Sequence, residues 1–92
     1  MAKIIIPTPL RKFTGNQATI EVEAVDIRES ISALTSLYPD LKKQLLTDSG
    51  ELRQFVRIYL GDEDIKVLNS ERTPVTNDAV ISIVPAIAGG SI

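Results

Sequence analysis

A chain of 92 residues, 43% apolar and 24% charged, is sized for one domain with a single small core and little room for an internal active site. Its formal net charge of -2 and aromatic content of 4% exclude the basic stripe and stacking platform of a nucleic-acid binder. With no Cys and no His, it has no disulfide, thiolate nucleophile, imidazole base or zinc site of the usual kind.

The chain opens on Met1-Ala2-Lys3-Ile4-Ile5-Ile6-Pro7, an apolar run too short for a signal peptide. No later apolar stretch reaches bilayer-spanning length, and no Asn-x-Ser/Thr sequon occurs, so the expected location is cytoplasmic. Lys3 to Pro7 is rich in β-branched residues and reads as a first strand, closed by Pro7 and Pro9. Leu10 to Asn16 reads as a loop or turn. Gln17 to Val25 then alternates, with Ala18, Ile20, Val22 and Ala24 on one face and Thr19, Glu21 and Glu23 on the other. That is a half-buried strand, antiparallel to the first across a hairpin connection.

A helix follows. Asp26 is an N-cap residue, and Glu29 completes a capping-box spacing with Asp in place of Ser or Thr. Ile27, Ile31, Leu34 and Tyr38, with Leu37 beside them, form an apolar stripe opposite Arg28, Glu29, Ser32, Thr35 and Ser36. Pro39 ends the helix. Asp40 to Thr47 predicts a second, shorter helix with Leu41, Leu45 and Leu46 inward, broken by Ser49-Gly50. Phe55 to Leu60 reads as a strand, Gly61 to Asp64 as a turn, and Ile65 to Leu68 as a short strand. Asn69 to Thr73 is a polar connection. Thr76-Asn77-Asp78 is a turn in which Asn77 tolerates a left-handed conformation, and Ala79 to Pro85 is the last strand.

Strands gripping a helix define an α+β architecture, here a mixed sheet of four to five strands packed on one main helix. The element order is that of the β-grasp, or ubiquitin-like, fold. The expected division is a β-grasp domain over 1–85 and a C-terminal tail over 86–92.

Most side-chain constellations are bland. The acidic turn Asp62-Glu63-Asp64 lacks the spaced ligands and following glycine of a calcium loop and reads as a solvated turn. Glu21 and Glu23 share a strand face without implying a catalytic pocket. The serines have no histidine partner, and no phosphate-binding glycine motif is present. Arg11, Lys12, Arg53 and Arg57 are candidates for a basic patch. Arg57, alternating with Val56 and Ile58, projects from the sheet face away from the helix.

The tail, Ala86-Ile87-Ala88-Gly89-Gly90-Ser91-Ile92, is different. Chain ends are usually polar, but this one is small and apolar and follows directly on a strand. From Pro85 to Gly90 an extended chain reaches about 17 Å. Gly89 and Gly90 add no side-chain width, which suits a narrow channel in another protein.

At this point the chain resembles the MoaD/ThiS family of ubiquitin-like sulfur carriers, and within it the thiocarboxylate carriers of a cysteine-synthesis route. The matching residues are Ile6-Pro7-Thr8, Leu10-Arg11, Thr14-Gly15, Phe55-Val56-Arg57-Ile58-Tyr59, Asp62-Glu63-Asp64, Thr73 to Asp78, and Val84 through Gly90. The resemblance implies a protein cosubstrate, not an enzyme, with no cofactor of its own. An E1-like enzyme using ATP adenylates the terminal glycine carboxylate, here Gly90, and sulfur displaces AMP to leave a thiocarboxylate. Ala88 and Gly89 thread into that enzyme. A PLP-dependent synthase or another sulfur-accepting enzyme consumes the sulfur, and a JAMM-type metalloprotease releases the product.

The chain departs from the family pattern in two places. It continues past the second glycine, so Ser91-Ile92 must be removed at the Gly90–Ser91 bond, with the JAMM-type protease as the candidate. Asn77-Asp78 also stands where a Gly-Asp turn is common. The partner surface is expected on the outer sheet face and tail root, at Arg57, Tyr59 and Pro85. Three other readings stay open: a ubiquitin-like protein modifier, the small subunit of a molybdopterin-synthase-type complex, and a non-covalent binding domain whose tail is never processed.

Overall fold

The computed structural model describes residues 1–54 and 56–85; Phe55 and the 86–92 tail lie outside the described residues. The strands are β1 (Ala2–Ile5), β2 (Thr19–Val22), β3 (Val56–Leu60), β4 (Glu63–Asp64) and β5 (Val80–Pro85), and the α-helices are α1 (Ile27–Leu37) and α2 (Pro39–Leu45). They build one 5-stranded mixed sheet in the order β2-β1-β5-β3-β4. β1 runs antiparallel to β2 and parallel to β5, while β3 runs antiparallel to both β5 and β4. The last strand therefore occupies the centre of the sheet.

Alternation along the strands decides which face is dry. Ala2, Ile4 and Ile6 from the first strand and its extension, Ile20 and Val22 from β2, Val56 and Ile58 from β3, and Ile81 and Ile83 from β5 are all buried. The register aligns Ile4 with both Ile20 and Ile81, and Ile58 with Ile83, so isoleucines form rows across the inner face. Ile27, Ile31 and Leu34 of α1 and Leu41 and Leu45 of α2 close the core over it.

α1 starts as the sequence predicts. Asp26 has extended backbone, and its carboxylate accepts the Glu29 N–H at 2.8 Å. Among the described residues Glu29 returns no hydrogen bond to the Asp26 N–H, so only half of the capping box forms. Asp26→Ala is expected to lower stability by about 1 kcal/mol, the ordinary cost of losing an N-cap acceptor, with unchanged denaturant slope. An unchanged urea midpoint would show that this cap contributes nothing.

The inward stripe of α1 differs from expectation at two positions. Leu37 is 60% exposed, whereas Thr35, placed by the sequence on the polar face, is buried and donates its hydroxyl back to the Ile31 carbonyl at 3.0 Å. Thr35 is one helical turn beyond Ile31, and that spacing keeps it inside. Tyr38 is the shared cap between the helices, and Pro39 opens α2 at a position where its missing N–H is harmless. Leu46 sits at the C-cap of α2, only half-buried.

The connections hold the main corrections. The expected loop over 10–16 is largely a 3-10 segment, Thr8–Thr14, whose Leu10 and Thr14 are buried. Gly15 and Asn16 at φ 64 and 67 then reverse the chain. β2 is shorter than the predicted run because β1 offers it no partner beyond Ala2; instead the Val25 carbonyl accepts the Val75 N–H at 3.0 Å. The predicted strand Ile65–Leu68 is a 3-10 turn over Ile65–Val67, and the acidic residues before it supply the strand β4. Asp64 causes the switch, since its Oδ1 accepts the Lys66 N–H at 2.9 Å and draws the backbone into a turn. Ser70–Arg72 within the polar connection is another 3-10 turn. Among the described residues, positive φ outside glycine occurs at Asn16 and Ser70, so Asn77 makes its turn without a left-handed backbone.

Candidate functional site

The outer face of the sheet is set by the same alternation that fills the core. Arg57 lies directly opposite Val84, and Tyr59 lies between Ser82 on β5 and Asp64 on β4. Ser82 in turn faces Ile5. Directly paired residues share a face, so Ile5, Ser82, Tyr59 and Asp64 form a row, with Val80 and Val84 on either side of Ser82. Ile5, Val80 and Val84 are each about 40% exposed, at 38%, 38% and 40%. Isolated exposed apolar side chains need no explanation, but a contiguous set on one flat surface is the signature of a contact face.

The charges on this face are divided between its two ends. Lys3 stands opposite Glu21 at the β2 edge. At the other edge Arg57 Nη1 meets Asp64 Oδ2 at 3.4 Å, with Arg57 half exposed and the Asp64 side chain mostly covered. Arg57 is thus the cation beside the tail root, because its partner Val84 immediately precedes Pro85.

The structure separates the sequence-nominated partner residues. Arg57 and Tyr59 lie on the outer face. Pro85 has the parity of Ile81 and Ile83 and pairs with buried Val56, which puts it on the helix side at the edge of the core. The proposed basic patch also divides. Arg11 Nε donates to the Ile6 carbonyl at 3.0 Å, Arg53 Nε donates to the Lys43 carbonyl at 2.9 Å, and Lys12 lies over the Phe13 ring at 5.3 Å. These three are held at separate places by different partners, and of the four only Arg57 is on the outer sheet face. Ile5, Val80, Val84 and Asp64 were missed, although the alternation within Ala79 to Pro85 already marked the two valines as outward. Ala88, Gly89, Gly90 and Ser91 lie outside the described residues.

Among the described residues no group of His, Cys, Asp and Glu is placed to hold a metal ion, and no helix is long and apolar enough to cross a membrane. A shallow cavity of about 300 Å³ beside β3 and β4 has an apolar floor of Leu52, Val56, Ile58 and Ile65.

Together the sheet order, the helix packed on one face and a last strand running down the centre define a β-grasp protein of the ubiquitin-like type. The chain belongs to the ThiS family, whose model matches residues 4–90, and it is a sulfur carrier protein, a small carrier rather than an enzyme. It is 34% identical over 89 residues to the sulfur carrier protein CysO of Mycobacterium tuberculosis, covering 95% of this chain and 96% of that one. Its fold superposes with a TM-score of 0.88 on a chain of the Amycolatopsis orientalis BexX/CysO complex, at 29% identity, covering 98% of this chain and 100% of that one. The crystal structure of Mycobacterium tuberculosis CysO gives a TM-score of 0.85 at 31% identity, covering 94% of this chain and 99% of that one.

Proposed function

We propose that the working group of this carrier is the carboxylate of Gly90, exposed once Ser91-Ile92 is removed. The carboxylate attacks the α-phosphorus of ATP in an E1-like enzyme, forming an acyl adenylate and releasing pyrophosphate. A sulfur nucleophile then displaces AMP, and the carrier ends in a thiocarboxylate. The thiocarboxylate donates sulfur in biosynthesis of cysteine or a related sulfur metabolite, through a PLP-dependent synthase or another sulfur-accepting enzyme. A JAMM-type metalloprotease performs the trimming, and the cycle runs in the cytoplasm.

The observation that carries this reading is where the family match stops. It ends at residue 90, the second glycine of the Gly89-Gly90 pair. The central position of β5 supports it, because a strand bonded on both sides holds Pro85, the residue before the tail, in a fixed place in the sheet. The absence of His and Cys agrees with chemistry carried by the terminal carbon rather than by a side chain. The solved complex of an Amycolatopsis orientalis CysO with BexX supports a carrier that works by docking to another protein.

Intact mass of the protein from its native host tests the proposal. The expected species ends at Gly90 with one oxygen replaced by sulfur, most abundant when the host is starved of cysteine. Gly90 joined to lysines of other proteins would identify a modifier instead. Only chain ending at Ile92 under starvation would remove the carrier chemistry.

A further inference from the structure

The ion pair at the β3–β4 edge has a geometry that a simple surface pair does not need. Asp64 uses both carboxylate oxygens: Oδ1 accepts the Lys66 N–H at 2.9 Å, and Oδ2 faces Arg57 Nη1 at 3.4 Å. The first bond locks the acid to the backbone of the following turn, so the acid is a fixed point. The second holds one nitrogen of a guanidinium that has five N–H donors. Arg57 is 49% exposed while Asp64 is 17% exposed, so a body approaching the sheet meets the guanidinium and not the carboxylate. Directly beside it are Val84 and Tyr59, and only Pro85 separates Val84 from the tail.

We propose that Asp64 is a positioning residue that holds Arg57 over the outer sheet face, where its free donors meet a carboxylate on the docking surface of the activating enzyme. The partner that fits is an apolar surface, to cover Ile5, Val80 and Val84, carrying an acidic side chain next to the opening that receives the tail. Two physical terms make the holding useful. An arginine fixed before docking loses less rotamer freedom when it pairs. An ionic contact next to the tail root also sets orientation, which flat apolar contact alone leaves loose. At the far end of the face Lys3 and Glu21 oppose each other and are both exposed, so an approaching body meets both signs of charge there. This inference rests on the reading that the carrier is activated by such an enzyme.

The test is a double-mutant cycle on the chain ending at Gly90, read as KM and kcat for the carrier in ATP–pyrophosphate exchange with the E1-like enzyme of the same host. Asp64→Asn keeps an oxygen to accept the Lys66 N–H and removes the charge that holds Arg57. It is expected to raise KM about three- to fivefold and leave kcat unchanged. Arg57→Gln is expected to raise KM about tenfold and flatten its salt dependence. In the Arg57→Gln background, Asp64→Asn is expected to add nothing, whereas a merely structural role of Asp64 would persist there. Additive effects, an unchanged KM in Asp64→Asn, or a lower KM in that variant would each overturn the proposal. Failure of the unsubstituted chain to be adenylated at all would instead count against Gly90 activation.

Discussion

Ile31→Asp is expected to abolish cooperative unfolding, leaving a chain with no thermal transition by circular dichroism at 25 °C and above. Ile31 is 4% exposed, at the centre of the α1 stripe between Ile27 and Leu34, both fully buried. The substitution removes an apolar side chain whose burial contributes about 1.5–3 kcal/mol. It also forces a carboxylate against the buried Ile27 and Leu34, with Arg28 and Lys42 near it only on the exposed wall of the same cavity, and a buried charge left poorly paired costs several further kcal/mol, on the order of 3–5. A domain of this length has a total stability of only about 5–14 kcal/mol, so a combined loss of about 5–8 kcal/mol takes a large share of it, and all of it in the lower half of that range. Ile31→Val is the control: one methylene is removed, and the expected cost is about 0.5–1.5 kcal/mol with a sharp melt retained. A cooperative melt for Ile31→Asp near the wild-type midpoint would mean that α1 does not anchor the core as drawn.

The parts of the fold visible in the sequence are those in which one periodicity governs a whole segment. The alternation through Ile20 and Val22, and again through Ile81 and Ile83, fixed which side chains face inward before any strand was paired. Asp26 marked the start of α1 because a short acid before an apolar stripe has a specific job, accepting a free N–H. The segments that escaped are those where a single side chain outweighs the pattern. Ile65 to Leu68 is apolar enough to look like a strand, but Asp64 captures the Lys66 N–H and turns the chain, leaving Val67 71% exposed. Thr35 looked polar and therefore outward, yet its hydroxyl is satisfied within its own helix and can be buried without an unpaired donor.

The candidate site divides in the same way. The alternation of Val56, Arg57 and Ile58 was enough to send Arg57 to the outer face, and Tyr59 follows two residues on. Pro85 could not be placed without counting parity from Ile81. Asp64 could not be joined to Arg57 without knowing that β4 folds back on β3, a pairing set by a tight turn at Gly61, where φ is 64. The apolar neighbours Ile5 and Val84 come from strands distant in sequence, and only the parallel pairing of β1 with β5 brings them onto one surface.

A chain ending at Gly90 is expected to be adenylated at least about a hundredfold faster than the full chain ending at Ile92, measured as ATP–pyrophosphate exchange with the E1-like enzyme. The reasoning is positional. Ser91 and Ile92 carry the terminal carboxylate about 7 Å further along an extended tail. Misplacement of a reacting group by about 1 Å already costs on the order of a hundredfold in rate, and this displacement is several times larger. In the proposed cycle a narrow channel shaped for glycine would also have to admit the branched side chain of Ile92 before any carboxylate reached the nucleotide. Gly90→Ala in the trimmed chain separates the two effects, since it restores the length and adds only a methyl group; it is expected to fall between the trimmed and full chains. Equal rates for the trimmed and full chains would show that the enzyme does not read the tail to Gly90, and trimming would lose its place in the mechanism. A large difference would make removal of Ser91-Ile92 the step that commits this carrier to sulfur transfer, because the folded domain is the same in both chains and only the position of one carboxylate has changed.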